Sequence, residues 1–153
     1  MAELIVSIDD ATMVPRLRRV IRSLHGVSRV SSPQKRRTAR SESAYQHQLS
    51  RLKELAALPN NWDDDGAVPI EQQVVDNVRQ ILEQSTASAL SSWVLFPEIN
   101  GTLLIKMKGK QGSISIGMTE FSYAYTKNEE SRQANHRPFS ANAVLRLINE
   151  INA

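Results

Sequence analysis

Residues 60–69 read NNWDDDGAVP, and the three consecutive carboxylates Asp63, Asp64 and Asp65 are the densest cluster of chemically able groups in the chain. Two kinds of chemistry use such groups. A calcium loop takes its oxygen ligands at alternate positions and ends in a bidentate glutamate at position 12. Counted from Asp63, position 12 is Val74, so the spacing fails. General acid–base catalysis needs carboxyl groups whose surroundings drive their pKa values apart. The sequence supplies no partner for that and no substrate pocket. A structural reading accounts for more of the residues. Aspartates turn the chain and face solvent near the positive start of the following helix. Gly66 supplies a backbone conformation that other residues resist. Pro69 keeps the approach extended and bounds the helix. Trp62 is expected to drop between two helices as an anchor. Trp62, Asp63, Gly66 and Pro69 are therefore assigned to a structural loop.

No other stretch carries a catalytic signature. His25, His47 and His136 are isolated and lack the spacing of a zinc motif. There are no cysteines, which removes disulfides, thiolate nucleophiles and cysteine zinc sites together. GKQGS at 109–113 lacks phosphate-loop spacing and reads as a hairpin turn. No catalytic residue, metal or cofactor is expected. Phe121, Tyr123 and Tyr125 share one face of a regular strand. Sheet aromatics can stack bases, but a stripe of this kind more often packs beneath helices, and a core role is expected.

The least ordinary feature is charge. The net charge of +3 hides a strong segregation. Between residues 15 and 40 the chain carries nine Arg and Lys and no acid, whereas residues 54–100 hold eight acids and only Arg79 as a base. Arg16, Arg18, Arg19 and Arg22 fall largely off the apolar stripe of a predicted helix, and Lys35, Arg36, Arg37 and Arg40 follow it. These are the candidate nucleic-acid contacts, because clustered cations neutralise phosphates and release counterions. Such contacts position a protein without specifying sequence. The same block suits an acidic protein surface or a second copy of the chain. A solvated helix face with a disordered arm is the plainest alternative.

The elements that hold these residues follow from periodicity. ELIVSID reads as a strand, residues from about 11–14 to His25 as a helix with Gly26 as its C-cap, and VSRVS as a second short strand. This gives a β-α-β module over residues 1–32. Residues 33–43 lack large apolar side chains and read as a basic flexible linker. Residues 44–153 are expected to form an α+β domain. Its helices are AYQHQLSRLKELAAL, EQQVVDNVRQILEQ at 71–84, and ANAVLRLINEIN capped by Ser140. STASALSS reads as a connector. WVLFPEI and TLLIKMK form a hairpin about the Asn100-Gly101 turn, SISIGM and FSYAYT follow as strands with one wetter face, and KNEESRQANHRP reads as a polar loop. The predicted fold is thus α+β: the small N-terminal module, then helices packed on an antiparallel β-meander. No stretch approaches the roughly 20 apolar residues of a membrane span, and MAELIVSIDD lacks the pattern of a signal peptide. A cytoplasmic protein is expected.

The segment W-D-x-x-G-A-x-P, here Trp62, Asp63, Gly66, Ala67 and Pro69, looks like one that recurs in small uncharacterised bacterial proteins. Those members also place a helix after it and then an antiparallel meander, and the similarity spans residues 50–126. The resemblance carries no activity. In some such proteins a short β-α leader suggests the antitoxin partner of a two-gene module. Residues 3–25 superficially resemble a ribbon-helix-helix repressor, but VSRVSSPQKRRTAR stands where its second helix should follow. No groove-reading residues are carried over. The function expected is a non-enzymatic intracellular binding protein, an antitoxin-like regulator contacting nucleic acid through the basic N-terminal module. The alternative is a protein-interaction or homodimerisation module.

Overall fold

The computed structural model describes residues 39–153. The chain divides between Arg36 and Arg37, and the described residues belong to the second unit. The β-α-β module expected over 1–32, and the predicted linker up to residue 38, lie outside the described residues.

The described residues form an α+β domain in which helices pack on a five-stranded antiparallel sheet. Helix α1 (Ala39–Ala56) leads through the NNWDDDGAVP loop to α2 (Gln72–Gln84) and a single short helix, α3 (Ala87–Ser91). The strands β1 (Trp93–Pro97), β2 (Leu103–Met107), β3 (Gly112–Ile116), β4 (Phe121–Lys127) and β5 (Glu130–His136) follow in sequence, and α4 (Ala141–Asn152) comes last. The sheet order β1-β2-β3-β4-β5 is that of an uninterrupted meander.

Strand periodicity decides what is buried. Trp93, Leu95, Leu103, Ile105, Ile114, Ile116 and Phe121 occupy one face and are buried. The register puts Leu95 opposite Ile105, Ile105 opposite Ile114, and Ile114 opposite Tyr123, so the apolar side chains form rows across the sheet. Helix α2 covers this face with Val74, Val75, Val78, Ile81 and Leu82, and α4 adds Val144, Ile148 and Ile151. Each fully buried aliphatic side chain of this kind contributes about 1.5–3 kcal/mol relative to exposure. The aromatic stripe belongs to the same core: Phe121 and Tyr125 are buried and Tyr123 is half-buried against them.

Two buried amides tie the helices to this layer. The Gln48 side chain on α1 donates to the carbonyls of Leu90 (2.8 Å) and Trp93 (3.0 Å). Asn77 on α2 donates to Gly117 (2.9 Å) and Met118 (3.0 Å) in the β3–β4 turn and accepts from Gln73. A buried polar group is tolerated when its hydrogen bonds are made, and these two fix where α1 and α2 sit along the sheet.

Four expectations need correction. Residues 39–43 are not linker but the first turn of α1. They lack large apolar side chains, yet contain no Gly or Pro. Glu42 suits the positive helix start and accepts from Gln46 one turn later (2.9 Å). STASALSS is not a mere connector, because Thr86 caps α3 by accepting from the Ala89 N–H (3.2 Å), which buries Leu90. Asn100-Gly101 is not a two-residue turn. The paired register ends at Pro97↔Leu103, and Glu98 N–H still donates to the Thr102 carbonyl (3.0 Å), leaving three residues, 99–101, at the tip. Finally, the polar loop expected from residue 127 onward contains β5, paired with β4 from Phe121↔His136 to Lys127↔Glu130. Asn128 and Glu129 both take positive φ (51° and 66°), the type I′ geometry that suits the twist of a two-residue hairpin. β5 lies at the sheet edge with mostly exposed side chains, so no hydrophobic alternation marks it. His136 holds its end by stacking on Phe121 and Tyr123, with ring centroids 5.2 and 5.7 Å apart.

Replacing Gln48 with Leu removes both donors and leaves the Leu90 and Trp93 carbonyls unpaired in the interior. The expected loss is about 2–3 kcal/mol, seen in urea titration as a lower midpoint at unchanged slope.

Candidate functional site

The NNWDDDGAVP loop is built around its own side chains. Asp63 Oδ1 accepts from the backbone N–H groups of Asp65 (3.0 Å) and Ala67 (2.9 Å). Asn61 Oδ1 accepts from Gly66 N–H (2.6 Å), and Asn61 N–H donates to the Ala67 carbonyl (2.7 Å). The chain reverses through positive φ at Asn61, Asp64 and Gly66. At Gly66 φ is 94°, where a residue without Cβ is favoured. Asp63 therefore acts as an internal cap, and the two N–H donors hold its carboxyl below the ordinary carboxylate range. Asp64 and Asp65 are exposed.

Trp62 departs from its expected place. It is half-buried, and its indole N–H donates to the Val68 carbonyl, three residues beyond the aspartates (3.1 Å). Satisfying that N–H keeps the ring against the loop itself. The loop is anchored instead by Ala67 and Ile70, which are buried. It also docks on the β1–β2 turn. Val68 N–H donates to Ile99 (3.0 Å), and Glu71 N–H donates to Gly101 (3.1 Å). Gly101 has φ 86°, and a Cβ there would stand 2.9 Å from the Pro69 carbonyl oxygen. Pro69 thus sets the backbone against which the turn closes.

Among the described residues no helix packs on the other sheet face. Its residues are the partners out of phase with the core: Phe96, Leu104, Ser113, Ser115, Ser122, Ala124, Gln133 and Asn135. Small side chains in the middle and longer ones at the margins produce a shallow hollow of about 540 Å³. Glu98 closes one end. Its Oε2 accepts from Thr102 Oγ1 (2.6 Å) and from Ser115 Oγ. No histidine is among the lining residues, so Ser115 has a carboxylate for a partner and no imidazole. The hollow offers hydroxyl and amide groups for hydrogen bonding to a polar surface. Near the opposite margin of β4, Tyr125 O–H donates to Glu150 (2.6 Å), which raises the phenol pKa; Arg132 pairs with the same carboxylate (3.4 Å).

Among the described residues no group of three His, Cys, Asp or Glu side chains could hold a metal ion. Of the basic candidates, Arg16, Arg18, Arg19, Arg22, Lys35, Arg36 and Arg37 lie outside the described residues, and Arg40 lies in the first turn of α1. The loop residues Trp62, Asp63, Gly66 and Pro69 are brought together. Sequence reasoning missed Glu98, Gln133 and Asn135 as surface groups, and the period-two alternation of SISI was the signal for Ser113 and Ser115. No protein-family model matches the chain, and neither the curated proteins nor the solved structures yield a match.

Two outcomes are expected of the loop. Gly101→Ala places a methyl group against the Pro69 carbonyl in a left-handed conformation and lowers stability by about 1–3 kcal/mol, measurable by urea unfolding. Asp63→Ala loses an interaction whose folded-state pKa is depressed. That stabilisation is present above the ordinary carboxyl value of 3.8 and disappears as pH falls through the lowered folded value. Melting temperatures of the wild type and the variant should therefore differ at pH 7 and converge in strong acid.

Proposed function

We propose that the protein is a non-enzymatic binding protein whose basic segment contacts nucleic acid and whose C-terminal domain serves as scaffold and partner dock, an arrangement of the antitoxin-like kind. The observation that carries this reading is the charge segregation: nine Arg and Lys and no acid between residues 15 and 40. Nucleic-acid affinity is dominated by phosphate neutralisation, and Arg16, Arg18, Arg19, Arg22, Lys35, Arg36, Arg37 and Arg40 supply the charges. The resemblance of the Trp62–Pro69 segment to small bacterial proteins, some antitoxin-like, supports the same assignment. A cytoplasmic location fits it. Among the described residues no helix is long and apolar enough to cross a membrane.

A second reading, a protein-interaction or homodimerisation module, is favoured by one specific feature. Strand β5 stands at the sheet edge with mostly exposed side chains, among the described residues no strand pairs with its outer side, and such an edge is a template for another strand.

Fluorescence anisotropy with labelled duplex DNA and RNA across a salt series tests the first reading. The full chain should bind with an affinity that falls steeply with salt. Alanine at Arg16, Arg18, Arg19 and Arg22 together should weaken binding to all sequences alike and flatten the duplex-DNA salt slope by about 3–4. Salt-independent binding, or none to either nucleic acid, removes this reading and leaves the interaction module.

A further inference from the structure

We propose that β5 is the contact of a symmetric homodimer, in which the edges of two sheets pair antiparallel about a two-fold axis at Gln133. This rests on the interaction-module reading and names its surface and its occupant, a second copy of the chain.

The direction of the backbone groups comes first. Thr126 N–H donates to the Gln111 carbonyl on the β3 side (2.8 Å). Backbone groups alternate sides along a strand, so those of Tyr125 and Lys127 face β5. Lys127 pairs with Glu130 and Tyr125 with Arg132. The backbone groups of Glu130, Arg132 and Ala134 are therefore used against β4. Those of Ser131, Gln133 and Asn135 point away from the sheet. The two-residue turn at Asn128-Glu129 agrees, since such a turn closes on a hydrogen-bonded pair, here Lys127 and Glu130.

The two sheet edges are not equivalent. At β1, Arg51 reaches from α1 to the Leu95 carbonyl (3.4 Å), and Pro97 ends the strand. β5 has seven residues, no proline and no bulge in its pairing with β4. Among the described residues no hydrogen bond reaches the outward backbone groups of Ser131, Gln133 or Asn135.

The strand is also complementary to itself in one register. With Gln133 opposite the partner's Gln133, Ser131 meets the partner's Asn135 and Asn135 meets the partner's Ser131. These outward-facing positions make three narrow pairs and about six backbone hydrogen bonds. Glu130 then lies opposite the partner's His136, and Arg132 opposite the partner's Ala134, so no like charges face each other. An axis at Arg132 opposes two guanidinium groups. An axis at Ala134 sets Arg132 against the partner's His136. Axes at Ser131 or Asn135 run the overlap into the Asn128-Glu129 turn or towards Pro138. Only the Gln133 register keeps the full length and separates the charges. It also continues the open face, because Gln133 and Asn135 line the hollow and the partner's copies would extend it across the axis.

Sedimentation equilibrium on the full chain should show a concentration-dependent rise from 17.1 kDa towards twice that mass. Gln133→Pro removes the outward N–H at the axis without taking a hydrogen bond from β4. It should abolish the rise while the circular dichroism spectrum is retained. Cysteine cross-linking gives a readout independent of the proline variant's folding. The chain has no cysteine of its own. In a narrow pair the Cα atoms stand about 5.5 Å apart, within disulfide reach. Gln133→Cys should cross-link under mild oxidation far faster than a control on the exposed β2–β3 turn, Lys110→Cys. A mass of 17.1 kDa at every concentration, with no preferential cross-link at 133, overturns the proposal and the homodimerisation reading together. A dimer that survives Gln133→Pro and cross-links no faster at 133 than at 110 overturns the β5 contact alone.

Discussion

Among the described residues one face of the sheet is covered, and the rest of the domain follows from that. A five-stranded meander supplies two faces, while the described helices pack on only one of them. Every second residue must then be apolar and every other one compatible with water. Ile105, Ile114 and Ile116 answer the first demand, and Lys106, Ser113 and Ser115 the second. The helices need fixed positions on the covered face, and purely apolar packing tolerates sliding. Gln48 and Asn77 remove that freedom, because each amide finds its two carbonyls at only one position along the sheet.

The acidic cluster illustrates how a chemically suggestive motif can be spent on the backbone. Asp63 could have been a ligand or an acid, but its carboxylate is occupied by two N–H groups of its own loop. Its lowered pKa is a sign of that capping. The loop in turn braces the β1–β2 turn through Gly101, so the motif joins the end of α1 to the first hairpin of the sheet. Outside the loop, the described residues offer an open sheet face with serine and amide side chains and a strand, β5, at the sheet edge.

Legibility in the sequence tracked burial. Helix α2 was readable because Val74, Val78 and Ile81 repeat at helical spacing, and α4 because Ser140 precedes a similar stripe. Strands β1 to β4 were readable from β-branched and aromatic runs. β5 was not, because ESRQANH has mostly exposed side chains and takes its structure from the ladder to β4. A polar run with no periodicity is the usual mark of a loop, and here tertiary pairing overrides it. The start of α1 failed for a related reason: a solvated helical turn and a linker share a composition. The Asp63 loop was legible as structure, but its anchor was not. Trp62 has the larger apolar body, yet Ala67 and Ile70 take the buried places, since the indole N–H needs a carbonyl and finds one in the loop.

The meander's strand order has a consequence for how the domain is made. Each strand pairs with its neighbour in sequence, so every ladder closes a short loop and none waits for a distant segment. Such local pairings form rapidly. The apolar face they create is served in chain order by helices on either side of it: α2 precedes the sheet and can receive β2 and β3 as they zip, whereas α4 follows all five strands. During synthesis the half of the sheet nearest β4 is therefore complete before its cover exists. Until α4 arrives, Tyr125 also lacks the Glu150 carboxylate that its hydroxyl bonds in the finished domain.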